Sequence, residues 1–374
     1  MLGRSWSFVA VFACLLQPAY LGSIPRSAKM EGGSSSAFKV GMSSRAFTPN
    51  ESYNWRGAKT HALLATVWYP AAASGVERPI EVPGLSQLFV IRSAAQDANL
   101  APTLVKFPMI VLSHGSGGSA MQMAWLGTAL AAKGYIVVAV NHPGNNATEA
   151  YTIQGFSIWW ERARDLTVII DAMLADPMFG AHIDSNRIGG AGFSLGGYTM
   201  IEIAGGITEL QAFKEFCASP RADLTCKSPP EFPTLLEDYD KLSNTDADFQ
   251  ADLRHASDSY RDTRVRAVFA IAPGIGPVFR PTSLARIAIP VRIVAGQSDT
   301  NAPIASSARY FAANIPRAKL TIFPGNVGHY VFLDSCTEAG RKTLPLLCTD
   351  GEGVDRDAIH AKTVALAVDF FKRR

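Results

Sequence analysis

Apolar residues occur along this chain in short unbroken runs rather than in alternation. Residues 61–69 (HALLATVWY), closed by Pro70, then 108–113 (PMIVLS) and 135–140 (YIVVAV) each read as a strand. Runs of this kind suit strands covered on both faces, as in a parallel sheet. Further runs at 187–193, 265–272, 291–295 and 319–323 repeat the form. Between them the spacing turns helical: 121–133, which stops at Gly134, the amphipathic stretch 161–174 (ERARDLTVIIDAML), 195–204, 305–315 and 359–372. Strand and helix alternate, which predicts an α/β fold with a mainly parallel sheet flanked by helices. One stretch breaks the alternation. Residues 207–262 carry twelve acidic and six basic side chains, a cysteine pair and no strand pattern. They read as a helical insertion over one end of the sheet, either a solvated excursion or a lid over a pocket.

Composition narrows the function classes. The chain has 374 residues, 48% hydrophobic and 18% charged, which excludes a disordered chain. A net charge of +3 supplies no basic stripe, so no nucleic-acid partner is expected. Oligomeric state leaves no mark on the pattern.

The N-terminus has the form of an export signal. A short basic start is followed by a mostly apolar run over 5–16, then Gln17, Pro18 and a zone of small residues around 19–28. The run is shorter than the roughly 20 apolar residues of a membrane span. The competing reading is a true start at Met30. Export predicts a leader over 1–28, a secreted or periplasmic protein with no integral membrane span in its mature chain, and one catalytic domain over 29–374. Cys14 falls in the leader. Cys217, Cys226, Cys336 and Cys348 remain, an even count that favours disulfides in an exported protein. Neighbour pairing is the simplest of the three connectivities. A zinc site would show closer CxxC spacing, and no histidine pair stands at i, i+4, so no metal is expected.

The chemistry is carried by Gly192-Phe193-Ser194-Leu195-Gly196-Gly197, a G-x-S-x-G motif that ends a predicted strand and opens a predicted helix. That context is a nucleophile elbow, a sharp turn that lifts the serine Oγ above the sheet. A dinucleotide loop would need G-x-G-x-x-G after the first strand. A serine hydroxyl needs a base, and the base needs an orienting acid. Asp299 follows the strand at 291–295, and His329 follows the strand at 319–323 in a glycine-rich loop, giving the order serine, acid, histidine. The loop Ser113-His114-Gly115-Ser116-Gly117-Gly118 follows an earlier strand. It predicts an oxyanion hole from the backbone N–H groups of Ser116 and Leu195. His114 reads as a packing residue of that loop and His142 as a structural residue at a strand end. Asn50 and Asn146 open glycosylation sequons.

These segments together (HGSGG, LAAKGYIVVAVNHPG, GFSLGG, AGQSDTNAP and GNVGH) resemble the dienelactone-hydrolase-like serine hydrolases of the α/β-hydrolase superfamily, the branch that includes platelet-activating-factor-acetylhydrolase-like enzymes. The resemblance runs from about residue 39 to the C-terminus. It implies hydrolysis of a small-molecule or lipid-like carboxylic ester through an acyl-enzyme, without a cofactor. Three positions depart from the pattern. The elbow holds Ser194 where dienelactone hydrolases hold cysteine. Phe193 stands where related enzymes commonly hold histidine. The stretch Ala270-Ile271-Ala272-Pro273, where the acetylhydrolase places its acid, has none, so the role passes to Asp299 one strand later. Bacterial cutinase-like polyester hydrolases share the GxSxGG elbow, a D-x-x-x-P acid loop and a C-terminal disulfide. An amidase or peptidase with the same residues is the alternative that changes the bond.

Overall fold

The computed structural model describes residues 37–49, 51–81, 87–90 and 92–373. The leader expected over 1–28 and the sequon at Asn50 lie outside them. The described residues form a ten-stranded sheet: β1 (Lys39–Phe47), β2 (Leu63–Ala71), β3 (Arg78–Pro79), β4 (Ser93–Gln96), β5 (Phe107–Ser113), β6 (Ile136–Val140), β7 (Ile183–Phe193), β8 (Val265–Ile271), β9 (Val291–Gly296) and β10 (Ala318–Phe323). The spatial order is β10-β9-β8-β7-β5-β6-β2-β1-β4-β3. From β10 to β6 every pairing is parallel; β2 joins β6 antiparallel and starts a mixed edge.

The unbroken apolar runs follow from this layering. In β5, Met109 and Val111 pack into the core on one face, with helix Glu161–Ala175 and helix Leu195–Ile203. Ile110 and Leu112 pack into the core on the other face, with helix Ala124–Ala131 and helix Arg356–Lys372. Because both faces are covered, no position in the run needs to be polar.

The structure revises several sequence expectations. The second strand runs on through Pro70, which pairs with Val40 of β1. Its pairing with β6 has already ended at Trp68, so the proline sits where a missing N–H is tolerated. The helix expected over 121–133 begins as a 3-10 turn, Ala120–Met123, and is α-helical only over Ala124–Ala131. Strands β1, β3 and β4, which carry polar side chains, had no apolar signature. The insertion is helical, with Leu210–Cys217, Leu235–Thr245 and Ala247–Arg254, and buries Phe249 against Ile158 and Trp160. Cys217 is bonded to Cys226 and Cys336 to Cys348, with Cα separations of 5.5 and 5.6 Å.

Candidate active site

Ser194 sits between β7 and the helix Leu195–Ile203, at φ 55° and ψ −115°. A non-glycine residue at positive φ is strained and persists only where its surroundings fix it. Here the Ser194 N–H donates to the Ile271 carbonyl (2.9 Å) and the Ser194 carbonyl accepts from Gly274 N–H (3.1 Å). The flanking glycines allow the close approach. A Cβ on Gly192 would lie 2.3 Å from the Gly196 oxygen, and one on Gly196 would lie 2.0 Å from the Ser113 oxygen.

Asp299 and His329 are brought together by register. Strands β9 and β10 pair through to Gly296 and Phe323. The loops beyond them stay joined, with Gln297 N–H on the Phe323 carbonyl and Ser298 N–H on the Val327 carbonyl, both at 2.9 Å. His329 Nδ1–H donates to Asp299 Oδ2 at 2.7 Å, and Nε2 accepts from the Ser194 hydroxyl at 2.9 Å. The second carboxylate oxygen of Asp299 accepts the Ala302 N–H at 2.7 Å, which fixes its plane. The Asp299 side chain is fully buried and that of His329 nearly so. The Phe193 ring packs on the imidazole, centroids 4.8 Å apart.

The loop after His329 is tied to the body of the fold. Trp125 Nε1–H donates to the Phe332 carbonyl at 2.9 Å, and His360 Nε2–H donates to the Val331 carbonyl at 2.8 Å. Those two rings stack at 4.0 Å. Burial lowers the His360 pKa to about 4 and raises the Asp334 carboxyl well above the usual range. Tyr330 OH accepts from Asn301 Nδ2–H (2.9 Å) and donates to Glu231 of the insertion (3.4 Å).

The glycine-rich loop after β5 faces Ser194. Gly118 N–H closes a turn on the Gly115 carbonyl (3.2 Å), Gly117 N–H donates to Asn145 Oδ1 (2.7 Å), and Tyr151 OH donates to the Gly117 carbonyl (2.8 Å). Ser116 and Leu195 both line the cavity over Ser194. Among the described residues their backbone N–H groups donate to no other group.

Beneath this loop lies a second serine–histidine–aspartate series. His142 Nε2 accepts from Ser113 Oγ–H at 2.8 Å, and Nδ1–H donates to Asp165 Oδ2 at 2.6 Å. Arg56 Nη2 bridges both Asp165 oxygens at 2.8 Å, and the Tyr53 hydroxyl donates to the same carboxylate. His142 N–H donates to His114 Nε2 (3.2 Å), and His114 Nδ1–H donates to the Gly115 carbonyl (2.6 Å). Burial and the neighbouring Arg162 hold both imidazoles well below their usual pKa, hence neutral. His114 is thus a loop-packing residue. His142 is fully buried and does not line the cavity. Asn146 spends its side chain on the His142 carbonyl and Glu149 and is buried, which leaves its sequon without an exposed amide.

Sequence reasoning missed Asp165, Arg162 and Arg56. A signal for the first two existed. Arg162 and Asp165 fall on the helix stripe of Leu166, Ile169 and Met173, where an ionisable side chain needs a buried partner. Arg56 left none.

The cavity has a volume of about 660 Å³ and holds Ser194 and His329 in its wall. The insertion supplies Leu210, Phe213, Tyr239 and Glu231 to its lining, and both disulfide-bonded segments reach it. Burial raises the Glu231 carboxyl above its usual range. Among the described residues no cluster of three His, Cys, Asp or Glu side chains is placed to hold a metal ion, and no helix is long and apolar enough to cross a membrane.

The model of the alpha/beta hydrolase family matches residues 110–339, more than half of the chain, and the chain belongs to that family. The segment runs from within β5 to just past Cys336 and so contains the elbow, the insertion, Asp299 and His329. Among solved structures the chain is similar to a ferulic acid esterase from Streptomyces cinnamoneus, at 19% identity over 92% of each chain with a TM-score of 0.61. At that identity the likeness is one of fold. Comparison with curated protein sequences finds no match.

Proposed function

We propose that the protein is a serine hydrolase of carboxylic esters, with Ser194 as nucleophile, His329 as general base and acid, and Asp299 as the group that orients the imidazole. The observation that carries the reading is the unbroken series Ser194 Oγ–His329 Nε2–His329 Nδ1–Asp299 Oδ2, at 2.9 and 2.7 Å, in the wall of a largely apolar cavity. In that series His329 carries its proton on Nδ1, so Nε2 is free to take the serine proton as Oγ attacks the ester carbonyl. The tetrahedral oxygen is received by the N–H groups of Ser116 and Leu195. One such donor typically contributes about 2.7–4 kcal/mol. His329 then protonates the leaving alkoxide, and water, activated by the same imidazole, hydrolyses the acyl-enzyme. The cycle uses no cofactor. A small-molecule or lipid-like ester fits the apolar lining. The insertion at 207–262 acts as a roof that shapes the cavity. We read residues 1–28 as an export leader ahead of a single catalytic domain, and the two disulfides accord with a secreted or periplasmic site.

Release of p-nitrophenol from an ester series tests this, with Ser194→Ala as blank and the matching p-nitroanilides run in parallel. Turnover of the esters by the native chain alone is the expected result. Turnover of the anilides at comparable rates would make the enzyme an amidase, and equal rates for Ser194→Ala would remove the nucleophile assignment.

A further inference from the structure

The apolar lining of the cavity comes from two groups of residues of different origin, one joined to the Ser194 backbone and the other to the chain that follows His329. One wall belongs to the nucleophile side. Ile275 follows Gly274, which stands against the Ser194 backbone, a Cβ there lying 3.9 Å from the Ser194 carbonyl carbon. With it stand Trp159 and Phe213, edge to face at 5.9 Å, and Leu210 of the insertion. The other wall belongs to the histidine side. The chain leaves His329 through Leu333 to Cys336, and Leu333, Leu344, Leu347 and Phe89 line the cavity there. None of these four side chains carries a donor or acceptor.

The histidine-side wall is a built unit. Phe89, Cys336 and Cys348 form a small core of their own, against which Leu344 and Leu347 pack. The segment around Phe89 is stitched to it by Val90 N–H on the Ser335 carbonyl (2.6 Å) and Thr337 N–H on the Leu88 carbonyl (3.0 Å). Buried Arg356 ties both ends, donating to the Asp334 carbonyl (3.0 Å), the Leu347 carbonyl (2.8 Å) and Asp350.

Ester chemistry assigns the two walls. The acyl group stays bonded to Ser194 Oγ until water removes it. The alcohol must leave where His329 Nε2 can protonate its oxygen, which is the histidine side. We propose that the disulfide-bonded segment Cys336–Cys348, with Phe89 and Leu333, forms the leaving-alcohol subsite, and that it selects esters of aliphatic alcohols several carbons long. The acyl group lies against Trp159, Phe213 and Ile275. This assignment rests on the ester-hydrolase reading above and deepens it.

The test separates the two. Kinetics of acetate esters with methyl, butyl and hexyl alcohols, followed by acid release, give an alcohol-length ratio. Methyl esters of acetic and hexanoic acid give an acyl-length ratio. In the native enzyme kcat/KM rises about threefold to fourfold per alcohol methylene until the subsite is filled. Leu347→Gln lowers the hexyl-to-methyl alcohol ratio about tenfold and keeps the acyl ratio; Phe213→Ala does the reverse. Leu344→Gln gives the same reading as Leu347→Gln, so the outcome does not depend on one variant folding. Loss of the acyl ratio in the leucine variants, or a native alcohol ratio near one, overturns the subsite assignment while ester turnover still stands. Absence of any ester turnover by the native chain overturns the parent reading, and the assignment with it.

Discussion

His142 Nε2 stands 2.8 Å from Ser113 Oγ, almost the separation of His329 Nε2 from Ser194 Oγ, 2.9 Å. Each histidine is backed by an aspartate on Nδ1. The two series share residue types and distances, and they differ in surroundings. Ser194 and His329 line the cavity, whereas Ser113, His142 and Asp165 have no measurable exposure. Asp165 is also committed to Arg56 and Tyr53, so the buried series holds the loop 113–118 in shape and has no room for a substrate.

A fluorophosphonate probe is therefore expected to label Ser194 alone. Ser194→Ala should lose ester turnover by a thousandfold or more. Ser113→Ala should keep labelling and most of the turnover, while leaving His142 Nε2 without its partner. That loss costs about 1–3 kcal/mol, read as a lower urea midpoint. Peptide mapping of the labelled protein decides between the serines; a label on Ser113 would refute the division of roles.

A second prediction compares Gly196 of the elbow with Gly328 of the loop before His329, since the two differ in what a methyl group would meet. At Gly196 an added Cβ would stand 2.0 Å from the backbone oxygen of Ser113, which cannot move without shifting β5. At Gly328 nothing lies within 4 Å of the added Cβ. Gly196→Ala should abolish probe labelling and fail to give a cooperative melt. Gly328→Ala should melt within about 0.5 kcal/mol of the native chain. Thermal scans of the two variants side by side check it.

What could be read from the sequence depended on whether a residue's neighbours lie close along the chain. β5 and β6 were visible because burial on both faces leaves an apolar run. The elbow was visible because the turn demands glycines at fixed offsets from Ser194. Asp299 and His329 could be grouped with Ser194 because each follows its own strand, and the structure places the three side chains in one hydrogen-bonded series. By contrast, β1 pairs with β2 across 16 to 32 residues, and Ser43, Ser44 and Arg45 interrupt any apolar run in it. Arg56 meets Asp165 across 109 residues, a contact that no local pattern encodes. The split of the cavity into two walls was hidden for the same reason, since Phe89 and Cys336 meet only through a long-range bridge.

Glu202, at the end of the helix that follows Ser194, provides a prediction for stability at high pH. It is fully buried, accepts from Thr208 Oγ1–H at 2.8 Å, and burial pushes its pKa up to about 8. The unfolded carboxyl ionises near 4.5, so between these values the native state holds a proton that the unfolded state has released. Its stabilising contribution is complete below the unfolded pKa and is lost as pH rises towards about 8. Glu202→Gln keeps a neutral side chain of the same shape. It should match the native chain near pH 4.5 and melt several degrees higher at pH 8, as measured by calorimetry across that range. A constant difference at every pH would place the proton elsewhere.

His360 works in the opposite direction. Buried against Trp125 with Nε2–H on the Val331 carbonyl, it has its pKa lowered to about 4 from an ordinary value of 6.5. Between these values the unfolded chain binds a proton that the native chain excludes, so stability falls as pH drops through the window. By pH 5 the loss from this one group is about 2 kcal/mol. His114 and His142 are depressed in the same direction and add to it. His360→Gln keeps an N–H donor for the Val331 carbonyl and cannot titrate. Its melting temperature should be lower than that of the native chain at pH 7, because the stacked ring is gone. Its stability should fall less, or rise more, from pH 7 to pH 5 than that of the native chain, since two buried histidines rather than three then work against the opposite contribution of Glu202. Because the Val331 carbonyl lies two residues from His329, acid inactivation should follow the same difference in slope. Parallel melts and residual-activity curves over pH 5 to 7 measure both. Equal slopes in the two proteins would show that His360 carries no part of the acid sensitivity.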